Sequence, residues 1–313
     1  MRHEENDQYR AVLQEVEIER KLGNEISDIG DLNSFKTGLF GATEMLVDSL
    51  MYLVDSGIMK KKVFDHVLLQ RLLNEGLILE DKITPDSLYL LLARGAIQPK
   101  LTKENFEFLQ RFGVFKKNLT YKYGNIYFED QSFIEADLDQ NQFVEAIIEK
   151  CMGNRLINGA IIHADFFLGP TQFYDWLREL PEWKRSLIHM KSVRKINQLY
   201  GHEEIDRLHR KNARFVNTCL MMTLSGAAVS DGLEDGRVIS VVGGQYNFVE
   251  MAQALPDGRS ILQLRSTRST GANDPVLNIV YNYGHITIPR HLRDIVVTEY
   301  GIADIRLLPM KRS

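Results

Sequence analysis

The chain has 313 residues, 44% of them hydrophobic and 26% charged, with only 8 prolines and a formal net charge of −4. That composition excludes disordered and fibrous classes, and the small net charge exerts no global pull toward nucleic acid or an anionic membrane. Two distant cysteines, Cys151 and Cys219, exclude a disulfide framework and a zinc site of the usual spacing, which points to a reducing, cytoplasmic compartment.

Residues 8 to 22 carry Tyr9, Val12, Leu13, Val16, Ile18 and Leu22 among charges, which predicts an amphipathic helix and no signal peptide. No apolar run approaches the length of a membrane span. Gly38 and Gly41 bracket a turn-like segment. Met45, Leu46, Leu50, Leu53 and Val54 then follow helical spacing, with Thr43 as N-cap and Gly57 as stop. This predicts Glu44 in the first turn of a helix. Further helices are predicted over 62–74 and from Thr84-Pro85 to Arg94, and a hairpin over 121–128 around Gly124-Asn125. Residues 75–150 read as a peripheral, largely helical subdomain.

From residue 160 the pattern changes. Short apolar runs at 160–163, 215–217, 238–242, 260–264, 276–281 and 295–298 end at polar residues and alternate with helical segments such as 172–180 and 248–255. Buried strands alternating with helices predict an α/β domain on a mostly parallel sheet flanked by helices. Ligands of such sheets gather at the carboxyl ends of strands.

Most motifs of nucleotide and metal chemistry are missing. There is no GxxxxGK[ST] loop, no GxGxxG after a strand, no HExxH and no GxSxG elbow. His202, Glu203, Glu204 and His209 read as a solvated helix without a metal. Arg207, Arg210, Lys211 and Arg214 read as a solvated basic face, which could also meet the phosphates of a nucleotide-like ligand. Cys219, in the apolar run 219–222, reads as a small buried hydrophobe.

Taken singly, the remaining polar residues have ordinary readings. Glu44 would complement a helix dipole, and Gly243-Gly244 would turn the chain after a strand. Asn217 would cap a strand end, and Glu299 would pair with Arg290 or Arg293. In combination they carry more. The segment 41–48, GATEMLVD, resembles the glutamate motif of the class I CoA-transferases. GGQYNF at 243–248 resembles that family's GGQ-x-[DN]-F signature, and VTEYGIAD at 297–304 its VTEYG-x-AD ending. RFVNT at 214–218 and IPRHLR at 288–293 are similar to the acetyl-CoA hydrolase branch.

The resemblance implies a CoA-transferase-like fold (NagB/RpiA/CoA-transferase-like) over 38–313, with 1–37 as a helix and linker left from an upstream domain. It implies acyl-CoA hydrolysis or CoA transfer, on acetyl-CoA or a similar short acyl-CoA, through a glutamyl-CoA thioester on Glu44. Gly243, Gly244 and Gln245 would form the oxyanion and CoA-binding site, and Asn217 and Glu299 would contact substrate. A coenzyme A thioester and a small carboxylate would be the substrates, with no covalently held cofactor, no metal, no nucleic acid and no membrane. The family's N-terminal domain has no counterpart here. The expectation therefore includes a homo-oligomer, a separate subunit supplying the N-terminal half, or a truncated non-catalytic protein, with a clustered apolar surface where the other half docks.

Overall fold

The computed structural model describes residues 37–269 and 275–306, so the helix predicted over 8–22 lies outside the described residues. Strand β1 (Gly41–Leu46) leads into helix α1 (Asp48–Asp55), which ends before Gly57 at φ +72°. Helices α2 (Val67–Asn74), α3 (Pro85–Ala93) and α4 (Lys103–Arg111) follow. The α3 start fits its sequence: Thr84 and Ser87 form a capping box and Pro85 occupies the first turn, where a missing N–H costs nothing. Helix α2 begins later than residue 62. Val63 instead pairs with Ala160, and the His66 ring accepts from Leu69 N to cap the helix.

Strands β2 (Thr120–Lys122), β3 (Asn125–Tyr127) and β4 (Phe133–Glu135) form an antiparallel meander, followed by α5 (Asn141–Cys151). The β2–β3 turn places Tyr123 and Gly124 at φ +49° and +79°, the positive pair that a two-residue hairpin of native twist requires. Phe64, Leu69, Leu91, Leu109, Phe112 and Ile147 belong to one core beneath these elements.

Two sheets with mainly parallel pairing, a smaller three-stranded sheet and a two-stranded antiparallel pair make up the rest. In the first, β1 pairs with β5 (Ile162–Phe167), and β5 with β6 (Ile188–Met190), all parallel, in the register Ala42 with His163 and His163 with His189. Helices α6 (Thr171–Glu179), α7 (Glu182–Arg185), α8 (Val193–Asn197) and α9 (Glu203–His209) surround it in sequence. Strand β7 (Arg214–Thr218) begins the second sheet, with β8 (Met221–Thr223), β9 (Ala228–Val229) and α10 (Gln245–Ala254) before β10 (Arg259–Gln263). Strands β11 (Thr267–Arg268), β12 (Val276–Leu277), β13 (Ile279–Val280), β14 (Ile295–Thr298) and β15 (Gly301–Asp304) complete the chain. The order is β15-β14-β10-β7, with β7, β10 and β14 parallel and β15 antiparallel at the edge. Leu262 and Val296 pack with Val249 of α10 on one face, while Ile261, Ile295 and Val297 form a separate cluster. Coverage of both faces is why these strands read as continuous apolar runs. The α/β class with parallel pairing expected from the sequence is therefore present.

Four local expectations fail. Glu44 lies in β1, not in a helix. Residues 238–242 form an exposed loop with one bridge, Val238 to Gly232, not a buried strand. The run 276–281 breaks into β12 and β13 at Asn278, whose side chain is buried and donates to Arg265 O. The basic face is partly internal: Arg210 is buried and paired with buried Asp206, which also meets Lys195 at 2.5 Å. No helix among the described residues is long and apolar enough to cross a membrane.

Between the first sheet and α9 lies a cluster of imidazoles. His163 stacks on His189 with centroids 5.9 Å apart and meets His209 edge-on at 5.6 Å; His209 Nε2 donates to Phe64 O at 3.0 Å. Burial pulls His163 down to about 3 and His209 to about 4 from the ordinary 6.5, with mutual repulsion adding at His163 and Asp65 opposing. These rings are neutral when folded and protonate more readily once unfolded, so they stabilise the fold above pH 6.5 and lose that contribution as pH falls toward 4. The thermal midpoint should drop between pH 7.5 and pH 5, and His163→Asn should shrink the drop; a scan unchanged by that substitution would assign the acid lability to other groups.

Candidate active site

Glu44 owes its place to pairing, not to helix propensity. Gly41 N donates to Ile161 O at 2.9 Å, and Gly41, Ala42, Thr43, Met45 and Leu46 are in parallel register with β5. The helical spacing from Met45 onward belongs to α1, which starts only at Asp48 after extended Val47. Ladder hydrogen bonds and the burial of Leu46 outweigh a weak propensity.

The glutamate nevertheless meets a helix N-terminus, that of α10. Gly243 turns the chain at φ +56°, in the left-handed region that favours glycine, and Gly244 is the N-cap. A methyl group on Gly244 would lie 2.5 Å from Glu44 Oε2, 2.7 Å from Asn197 Nδ2 and 3.0 Å from the Phe248 ring, so a side chain at this position would clash. The carboxylate is held against the end of a ten-residue helix where unpaired N–H groups concentrate positive partial charge.

Asn197 is the residue that the sequence reading missed. Its Nδ2 donates to Glu44 Oε2 at 3.3 Å from the end of α8. Arg210 fixes that helix end by donating to Lys195 O at 2.9 Å and Ile196 O at 3.0 Å, and buried Asp206 offsets the charges of Arg210 and Lys195. The one signal in the sequence was the basic cluster around Arg210, which anchors this support internally.

A cavity of about 350 Å³ opens beside these groups, lined among others by Glu44, Asn217, Thr218, Ser230, Gly243 and Gly244. Among the described residues, Glu44 is the one acidic or basic side chain in its wall. Gln245 also lines it but is only 7% exposed and donates Nε2 to Thr218 O at 2.9 Å, tying the start of α10 to the end of β7. Cys219 lines the cavity too, and burial pushes its thiol up to about 12, so it supplies no thiolate.

Glu299 stands apart. It follows β14 and is outside the cavity wall, accepting from Ser266 N at 2.9 Å and Ser266 Oγ at 2.6 Å. Desolvation raises its pKa, but the two Ser266 bonds prevail and hold the carboxyl below its ordinary value. Of the residues singled out, the fold brings together Glu44, Asn217, Gly243, Gly244 and Gln245, and leaves Glu299 elsewhere. No group of three His, Cys, Asp or Glu among the described residues is placed to hold a metal ion.

The chain is similar to known proteins over its second half. Residues 169–312 match the acetyl-CoA hydrolase/transferase C-terminal domain, which bears out the resemblance over that stretch; Glu44 lies before it. A 4-hydroxybutyrate coenzyme A transferase of Clostridium kluyveri is 26% identical over 141 residues, 45% of this chain and 30% of that protein. Among solved structures, RipA from Yersinia pestis is 28% identical with a TM-score of 0.38, and a 4-hydroxybutyrate CoA-transferase from Porphyromonas gingivalis is 24% identical with a TM-score of 0.33. Each covers 47% of this chain, which spans 30% of each of those longer chains.

The tight approach at Gly244 has a measurable cost. Gly244→Ala should destabilise by about 1–3 kcal/mol through overpacking, and Glu44→Ala in the same chain should recover part of that loss. Urea unfolding of the two single variants and the double variant measures the coupling; strict additivity would show that the two groups do not touch.

Proposed function

We propose that this chain carries the reactive carboxylate and oxyanion site of an acyl-CoA hydrolase or CoA-transferase acting on acetyl-CoA or a similar short acyl-CoA. The observation that carries this reading is the convergence of Glu44 with the Gly243–Gly244 turn at the N-terminus of α10, around one cavity.

The proposed chemistry runs through Glu44. The Glu44 carboxylate attacks the thioester carbonyl, and the tetrahedral oxyanion collapses with loss of the CoA thiolate to give a mixed anhydride. The thiolate then attacks the Glu44 carbonyl, releases the free carboxylate product and leaves a glutamyl-CoA thioester. An acceptor carboxylate runs these steps in reverse to form its own CoA thioester; water instead releases CoA and regenerates Glu44. In this reading the N–H groups at the glycine turn act as preorganised donors where oxyanion charge develops. Asn197 donates to the carboxylate and orients one oxygen, leaving the other for attack. Asn217 and Gln245 supply further polar wall, while Glu299, bound to Ser266, is assigned no direct role. CoA is a substrate here, and the mechanism uses no metal and no resident cofactor.

A second reading, that the chain works with a partner half, is favoured by the surface beside the cavity. Val241, in the cavity wall, is 87% exposed, and neighbouring Val238 is 75% exposed. Such a patch fits a docking face that would also exclude water from the site. Cys151 and Cys219, both free and buried, fit a reducing compartment such as the cytoplasm.

Intact-mass measurement after incubation with acetyl-CoA tests the reading. A CoA adduct removable by hydroxylamine should form on the native chain and be absent in Glu44→Gln. Asn197→Ala should slow its formation by about 10- to 100-fold, the equivalent of one charge-assisted hydrogen bond of about 1.5–3 kcal/mol. An adduct that survives in Glu44→Gln would sink the assignment of the nucleophile.

A further inference from the structure

The loop that delivers Gly243 and Gly244 lacks the usual means of holding a loop still. Between Asp231 and Val242, Val238, Ile239 and Val241 are exposed and Leu233 and Val242 only half-buried, so burial contributes little to its position. Its order must come from hydrogen bonds, and these converge on Asp231. The Asp231 carbonyl accepts from Ile239 N at 2.8 Å and Ser240 N at 3.3 Å, just before the glycine turn. Its carboxylate accepts from His285 Nε2 at 2.9 Å and from the Thr287 hydroxyl, while Thr287 Oγ1 in turn accepts from Ser230 N at 2.8 Å. Gly232 lies flat on the His285 ring, where a methyl group would come within 2.8 Å of Cε1. Glu234 adds a second tie by accepting from Gly284 N at 3.0 Å. The segment on the other side is itself anchored, since Ala228 N donates to Ile288 O at 2.9 Å and Ala228 O accepts from Thr287 N at 2.9 Å and Ile288 N at 3.0 Å.

We propose that Asp231, with His285 and Thr287, is the latch that positions the Gly243–Gly244 turn against Glu44. The proposal rests on the function given above. Asp231, His285 and Thr287 do not line the cavity, so they are positioning residues that act through the loop. The bonds from Thr287 and His285 hold the Asp231 carboxyl below its ordinary pKa, so it is an ionised acceptor at neutral pH and the latch is charge-assisted.

Amide hydrogen exchange on the full chain reads the latch directly. In Thr287→Val and Asp231→Ala, exchange over 238–244 should rise by about tenfold while β10 and β14 keep their protection. Thr287→Ser, which retains the hydroxyl, should exchange like the native chain. With acetyl-CoA, Thr287→Val should lower the rate of adduct formation on Glu44 by about tenfold, with little change in the half-saturating concentration, and Thr287→Ser should restore it. Unchanged exchange in Thr287→Val and Asp231→Ala would overturn the latch, as would a rise spread equally over β10 and β14. Native adduct rates in Thr287→Val would overturn its positioning role. Absence of any adduct on the native chain would instead refute the function, and the exchange measurement would still decide the latch.

Discussion

The site depends on a single close approach: the Glu44 carboxylate rests against a helix N-terminus at a residue with no side chain. Everything around it serves that contact. Parallel pairing of β1 with β5 holds the glutamate from one side, and Gln245 ties the start of α10 to β7 on the other. Gly244, with no side chain, lets the carboxylate and the Asn197 amide lie within 3 Å of where a Cβ would stand. Asn197 then settles which oxygen is engaged.

The electrostatics of the site have two layers. Near the carboxylate lie neutral donors, the Asn197 amide and the N-terminal N–H groups of α10, which stabilise an anion without neutralising it as an adjacent cation would. The cations stand one step behind. Lys195 and Arg210 pair with buried Asp206, and Arg210 also bonds the carbonyls at the end of α8. A buried ion group of this kind is seldom a net source of stability, but removing one member leaves uncompensated charge in the interior. Its worth here is geometric, since it fixes the backbone from which Asn197 projects.

Much of this was legible in the sequence, and the failures have physical causes. The strands at 214–218, 259–263 and 295–298 were readable from their short apolar centres, Phe215-Val216, Ile261-Leu262 and Ile295-Val296-Val297. The start of α3 was readable because Thr84, Pro85 and Ser87 speak a local code. Glu44 was placed on the wrong element because the apolar spacing of α1 runs back into β1, and the partner that makes β1 a strand lies more than a hundred residues away. Residues 238–242 misled for the opposite reason: an apolar run usually means burial, and here it lies in the open. Asn197 gave no local signal, since its role exists only once Glu44 arrives. The joint order of the three motifs identified the cavity wall where single residues could not, although it also drew in Glu299, which belongs to a separate contact with Ser266.

The hydrogen bond between Glu44 and Asn197 joins positions 153 residues apart. Closing a contact of that separation costs more loop entropy than a local contact does. The helical part between residues 64 and 156, with its own core, can gather locally and early. The carboxylate's environment rests instead on contacts of high sequence separation, which form more slowly than local ones. Partly folded forms would carry the glutamate without its helix end or its amide, so the reactivity proposed for Glu44 would belong to fully folded molecules.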